Sequence, residues 1–271
     1  MTAHTDVVAA LERIAPPQLA ASWDNVGLLV EPLAPRAVRR VLLTIDLTEP
    51  VFAEAQERSA DFIVSYHPPI FAGIKRLTAG RPMSRVVLGA IAAGIPIYSP
   101  HTALDAAPHG MNDWLLDALG PMIVRRAIQP APFFEDVGGP AAGVGRIGEL
   151  AGAEPLSELI RRLKAWLDLP YVRVATPDEH AAGRPLKEVA VCPGAGGAVF
   201  EGMKGIELFV TGEMRHHDVL NKVAEGSSVI LTEHTNCERG YLGVLARRLH
   251  ELLDGVEVMV SAVDQDPLRV V

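Results

Sequence analysis

Short apolar runs alternate with amphipathic stretches along most of the chain. Residues 5–15 read as a short amphipathic helix that Pro16-Pro17 ends. The run VRRVLLTID (38–46) predicts a strand, EPVFAEAQERSA (49–60) a helix, and DFIVSYH (61–67) a second strand. After a loop around PPIFAGIKRL comes a helix near 82–93, with Gly94 placed to cap its C-terminus. The strand IPIYSP (95–100) and a helix at about 110–119 follow. Such alternation predicts βαβ units and a largely parallel sheet.

The middle is less regular. Residues 129–148 hold Pro130, Pro132, Pro140, Gly138, Gly139, Gly143, Gly145 and Gly148, a composition suited to a loop crossing between domains. A helix over 155–167 follows, then strands near 171–175 and 187–192 and a helix near 197–203. Clean alternation returns in the last third. Strands fall at IELFVTG, SSVILTE and VEVMVSA, with helices around 215–225 and 238–253. The expected fold class is α/β, two intertwined modules, each a mostly parallel or mixed sheet flanked by helices, with a metal site in the crevice between them. Residues 1–125 form the first module, 126–148 the linker or crossing segment and 149–230 the second module. Residues 231–271 then return to complete the site.

Composition narrows the function classes. Of 271 residues, 49% are hydrophobic and 21% charged, which excludes a disordered chain. The formal net charge of -8 disfavours nucleic acid and anionic membrane as partners. The N-terminal stretch carries Asp6 and Glu12 with no apolar signal core, and the run Val86 to Tyr98 is too short to span a bilayer. A cytoplasmic protein is expected. Nine histidines against two cysteines, Cys192 and Cys237, direct any metal chemistry to imidazole and carboxylate.

Candidate chemistry gathers at predicted strand ends. In TEHTNCERG (232–240), His234 and Glu238 are four apart, at a strand end and in the first turn of the next helix. That spacing lets both point at one zinc, iron or manganese ion, or else they are a loop histidine and a solvated carboxylate. His67 in SYHPPIF ends a strand before two prolines that restrict its backbone. In SPHTALDAAPHGMNDWL, His101 and Asp105 are four apart after another strand, and Asp105 has two oxygens with which to bridge two metals. His109 is a weaker candidate beside a helix start. Strand-end positions of this kind share one crevice in open α/β sheets.

In TGEMRHHD, Glu213, His216 and His217 lie near a further strand end, and adjacent helical histidines point about 100° apart, so both do not serve one metal. Glu213 or His217 is a candidate catalytic proton shuttle. PGAGG (193–197) reads either as an anion cradle or as a tight turn, and Lys75 and Arg76 as phosphate contacts or surface charges. WDNVGL (23–28) reads only as a turn, and Cys237 as packing. His4 and His180 are expected bystanders whose removal changes nothing.

Taken together, WDNVGLLV, SYHPPIF, SPHTALDAAPHGMNDWL, VTGEMRHH and TEHTNCERGYL resemble the NIF-three-like family, often labelled GTP cyclohydrolase 1 type 2, from about residue 12 to 253. The resemblance implies an intertwined α/β fold with a dinuclear centre of two divalent metal ions and a toroidal homohexamer. It implies the ligands His67, Asp105, His234 and Glu238, with His101 close by. Many members carry two histidines where this chain has Tyr66-His67, which leaves the remaining ligand open between Tyr66 and His101. The family label implies a hydrolase acting on GTP, a small anionic nucleotide substrate. A non-catalytic metal-handling or regulatory protein-interaction ring is the alternative.

Overall fold

The computed structural model describes residues 1–34, 37–131 and 142–270. They fall into two compact units, one of Met1–Leu104 with Tyr241–Val271 and one of Asp105–Gly240. The first unit opens with strand β1 (Thr2–Ala3) and helix α1 (His4–Ile14), whose Val7, Leu11 and Ile14 form one buried stripe. Strand β2 (Gly27–Val30) follows, then β3 (Ala37–Val38), which pairs with β1. Next come β4 (Arg40–Thr44), helix α2 (Glu49–Glu57), β5 (Phe62–Ser65), helix α3 (Pro82–Ala93) and β6 (Ile97–Ser99). All of β5, and β4 from Val41 on, is buried, as strands of a sheet covered on both faces must be. Leu42, Ile63, Ile97, Phe52, Val86 and Val87 close the core between sheet and helices. Each such side chain contributes about 1.5–3 kcal/mol on burial. Gly94 ends α3 at φ 64, in the left-handed region that glycine adopts without strain.

Helix α4 (His101–Ala106) carries the chain into the second unit, where α5 (Met111–Asp117) leads to the long antiparallel strands β7 (Met122–Pro130) and β8 (Gly143–Glu154). Helix α6 (Leu156–Leu167), β9 (Arg173–Ala175), α7 (Asp178–Ala181), β10 (Leu186–Cys192), β11 (Leu208–Thr211), α8 (His216–Ala224) and β12 (Ser228–Leu231) follow. The sheet order is β7-β8-β10-β11-β12-β9, with β10, β11 and β12 parallel and the outer pairs antiparallel. Ile147, Ala190, Phe200, Phe209, Val229 and Leu231 form its core. The chain then returns to the first unit as α9 (Tyr241–Leu252) and β13 (Glu257–Val260), completing a sheet ordered β13-β4-β5-β6-β2. There β13, β4, β5 and β6 run parallel and β2 antiparallel. Both units are thus α/β, with mixed sheets.

Three expectations differ from the fold. The stretch 126–148 is not a linker where it is described: 126–130 belong to β7 and 143–148 to β8. Its glycines mark crowding rather than a loop, since a Cβ on Gly148 would lie 2.7 Å from Met122 Sδ. Pro132, Gly138, Gly139 and Pro140 lie outside the described residues. The helix expected near 197–203 is a 3-10 turn, Gly196–Phe200. Glu238 lies ahead of α9, not in its first turn, because the chain first crosses the Trp114 indole at Gly240. A Cβ there would lie 2.7 Å from that ring.

Candidate metal centre

In the first unit, three neighbouring parallel strands deliver polar side chains just past their carboxyl ends: β4 gives Asp46, β5 gives His67 and β6 gives His101. His67 is pinned by its backbone, with its N–H on Ile45 O at 3.0 Å and its C=O accepting from Ser65 Oγ at 2.6 Å. His67 Nδ1 lies 2.9 Å from Asp46 Oδ1, and His101 Nδ1 lies 2.8 Å from Asp24 Oδ1. The two imidazoles stand edge to face, 5.3 Å apart, with the buried Tyr66 ring 5.0 Å from His67 and 5.5 Å from His101.

Asp24 also accepts from the Thr102 N–H, the Thr102 hydroxyl and the Asn25 N–H. Burial works against its ionisation. The hydrogen bonds and charge of His101, with the donors on Thr102 and Asn25, outweigh burial and hold the carboxyl at about 2.

In the second unit the same logic repeats. Past β10 comes Gly194, past β11 Glu213, and past β12 His234 and Glu238. His234 Nδ1 lies 3.2 Å from Glu213 Oε1, and His234 Nε2 faces Glu238 Oε1 at 3.9 Å. A 3-10 turn over Thr235–Cys237, closed by the Glu238 N–H on Thr235 O, brings these two together. Gly194, at φ 63, faces both: a Cβ there would sit 2.8 Å from Glu238 Oε1 and 3.2 Å from His234 Nε2. The bare backbone keeps open the space beside an imidazole nitrogen and a carboxylate oxygen, a donor pair that suits a divalent cation.

Cys237 packs, as expected. Its thiol donates to His234 O and accepts from the Gly194 N–H. Burial, reinforced by the charge of Glu238, pushes it up to about 12, and burial likewise raises Cys192 well above its usual value. Thiolate ligation is thereby disfavoured at both.

Asp105 is half-buried on α4, its backbone carbonyl accepting from Asn112 Nδ2 at 2.9 Å. His109 serves the start of α5, its N–H donating to Asp113 Oδ2 at 2.8 Å. His216 and His217 are both exposed on α8, with rings 5.3 Å apart. In PGAGG the amides of Gly194 and Gly196 are used internally, on Cys237 Sγ and Thr211 Oγ1, which favours the tight turn over the anion cradle. Lys75 and Arg76 border a cavity of about 410 Å³ floored by Ile70, Leu77 and Val87.

A larger cavity of about 610 Å³ lies within the second unit, lined by Glu213, Arg215, Asp218, Asn221 and Lys222 among others. Lys222 is buried there, donating to Met203 O at 3.1 Å with its ammonium 4.6 Å from the Phe209 ring centroid. The partners that sequence reasoning missed are Asp24, Asp46 and Lys222. Asp24 stood in a motif read as a turn, and no local pattern marked the other two.

Fold and site together define an α/β protein with histidine–carboxylate pairs at the carboxyl ends of parallel strands, a donor chemistry suited to divalent cations. The chain belongs to the DUF34/NIF3 family, matching the description "Duf34/NIF3 (NGG1p interacting factor 3)" over residues 2–267. It is 44% identical to "Protein NIF3 homolog" of Schizosaccharomyces pombe, with 95% of this chain and 94% of that one covered. It is 35% identical to "NIF3-like protein 1" of Rattus norvegicus, covering 98% of this chain and 92% of the other. The fold matches a Bacillus cereus protein related to NIF3 at a TM-score of 0.85, with 21% identity and 99% of each chain covered. Among the described residues no helix is long and apolar enough to cross a membrane.

Proposed function

We propose that the protein binds divalent metal ions through His67, His101, Asp105, His234 and Glu238, and that it is a metal-dependent hydrolase. The observation that carries this reading is the His234–Glu238 donor pair, with the Gly194 backbone leaving room beside it. The family resemblance adds His67 to that pair. The family resemblance supplies Asp105 and the count of two ions. A divalent ion supplies Lewis acidity when bound.

The chain's own groups have separate tasks. Glu213, an exposed carboxylate touching His234 Nδ1 and lining the 610 Å³ cavity, carries protons between the site and solvent. Arg215 and Lys222 on the same wall orient an anionic group of a small substrate, with a nucleotide such as GTP the first to test. His217, whose ring contact is with His216, is assigned no step. A homohexamer in the cytoplasm completes the proposal.

Metal content of the purified full-length protein, followed by turnover of GTP and of a simple phosphoester with and without chelator, tests the reading. Bound metal with chelator-sensitive turnover is expected, and native mass spectrometry should find six copies. Bound metal without turnover favours the second reading, a non-catalytic metal-handling or protein-interaction role. Two points speak for it: the family description as an NGG1p interacting factor, and Tyr66 at a position where the resemblance leads one to expect a histidine. A wild-type protein that takes up no metal overturns the hydrolase and the metal-handling role and leaves only protein interaction.

A further inference from the structure

We propose that Asp24 and Asp46 are positioning residues that fix which ring nitrogen His101 and His67 present to a ligand. The inference rests on the metal reading for its purpose, but its physical content lies wholly within the first unit. A neutral imidazole carries one hydrogen, on Nδ1 or on Nε2, and only the other nitrogen has a lone pair to donate. A carboxylate ionised at neutral pH can only accept. Asp24 Oδ1 at 2.8 Å and Asp46 Oδ1 at 2.9 Å therefore place the hydrogen on Nδ1 of His101 and His67 and the lone pair on Nε2. Carboxylate partners of this kind orient metal-binding histidines and raise their basicity.

The two carboxylates are built differently. The Asp24 side chain is fully buried and shares its two oxygens among His101, Thr102 and Asn25, so it cannot turn away from the imidazole. Its place follows from topology. β2 runs antiparallel to β6 with Gly27 opposite Ser99, so the residues entering β2 lie beside the residues leaving β6. That register sets Asp24 against His101. The Asp46 side chain is 38% exposed, so water can compete for it. Asp24 thus holds its histidine more firmly than Asp46 does.

Asp24→Asn gives the sharpest test. Asp24 Oδ2 accepts two donors from Thr102, against the single backbone N–H of Asn25 on Oδ1, so the amide oxygen of the variant takes the Thr102 side and its NH2 group faces His101. An NH2 group donates to Nδ1, which moves the ring hydrogen to Nε2 and removes the lone pair offered there. Imidazole 15N spectra of the metal-free, full-length protein at mildly alkaline pH report the tautomer directly, and a purely structural role for Asp24 would not move it. The expected result is Nδ1–H for His101 and His67 in the wild type, Nε2–H for His101 in Asp24→Asn, and affinity for zinc lower by about 10–100-fold.

Asp46→Asn should lower zinc affinity less than Asp24→Asn does. Nε2–H on His101 in the wild type, or an unchanged tautomer in a folded Asp24→Asn protein, overturns the proposal. Should Asp24→Asn not fold, the wild-type spectrum and Asp46→Asn still decide it. A wild type that shows Nδ1–H on both rings but takes up no zinc leaves the tautomer assignment standing while the metal reading fails, so the two failures are distinguishable.

Discussion

His234 Nε2 and Glu238 Oε1 lie 3.9 Å apart, too far for a hydrogen bond between them and within the span of two metal–donor bonds of about 2.1 Å each. Glu238 is 2% exposed, so its carboxylate is held inside the protein. Glu238→Gln keeps the shape and removes the charge. The variant should hold metal about 10–100-fold more weakly than wild type. Zinc should raise the melting temperature of the wild type more than that of the variant, as mass action requires when a ligand binds the native state of one more tightly. Equal metal content in the two purified proteins would remove Glu238 from the ligand set.

Gly194→Ala tests the same site by filling it. The new Cβ would lie 2.8 Å from Glu238 Oε1 and 3.2 Å from His234 Nε2, at a φ of 63 where an L side chain costs roughly 1–2 kcal/mol. Metal affinity should fall with only this modest loss of stability. Gly152→Ala is the control, since a Cβ there meets nothing within 4 Å. Isothermal titration with zinc compares the three proteins, and a Gly194→Ala protein that binds like wild type would show that the turn does not border the ion.

The strand-end histidines were legible because both units obey one rule. Parallel strands with full-length apolar runs, such as FIVS before His67 and SVIL before His234, announce themselves, and polar residues at their carboxyl ends stand out. The partners of those histidines were not legible. Asp24 reaches His101 across 77 positions of sequence and Asp46 reaches His67 across 21, through strand register that no local window contains. The strands β7 and β8 were hidden for a different reason. Their glycines and prolines mimic a loop, whereas Gly148 is small because Met122 and Leu116 crowd it. The burial of His180 was not legible either, because nothing around it in sequence shows it.

His180 is 2% exposed, with Nδ1 2.8 Å from Ser228 Oγ. Burial, helped by the charge of Arg184, lowers its pKa below the ordinary value of 6.5. Above that value the ring is neutral in both folded and unfolded chains and costs nothing. As the pH falls below it, the unfolded chain takes up the proton first, so stability declines until the lowered folded value is passed. His180→Ala should therefore destabilise the protein by roughly 1–3 kcal/mol at pH 8 through the lost packing and hydrogen bond. It should also flatten the stability profile just below pH 6.5, while metal content stays at the wild-type level. Urea midpoints at pH 8 and pH 5.5 measure both effects, and a variant as stable as wild type at pH 8 would restore His180 to the bystanders.

Arg146 and Asp113 make the strongest electrostatic claim on stability. Arg146 is 1% exposed and meets Asp113 through two hydrogen bonds, Nε to Oδ1 at 2.8 Å and Nη2 to Oδ2 at 3.1 Å. Its remaining donors bind Gly143 O and Gly145 O. Burial alone would raise the Asp113 pKa, but the pairing with Arg146, with Arg125 and the His109 N–H adding to it, lowers it. A depressed carboxyl contributes stability above its unfolded pKa and loses it as the pH falls through the folded value. Asp113→Ala leaves a buried guanidinium uncompensated and should cost about 3–5 kcal/mol at pH 7. The gap between variant and wild type should then narrow as the pH falls through the lowered folded value, because the wild-type carboxyl becomes protonated as well. A double variant, Arg146→Met with Asp113→Leu, removes both charges and should recover most of the loss at pH 7, because an apolar pair of similar volume avoids the desolvation cost. Chemical denaturation across pH 2–7 separates these outcomes, and a single variant that costs under about 1 kcal/mol, the range of exposed pairs, would show the ion pair to be energetically idle.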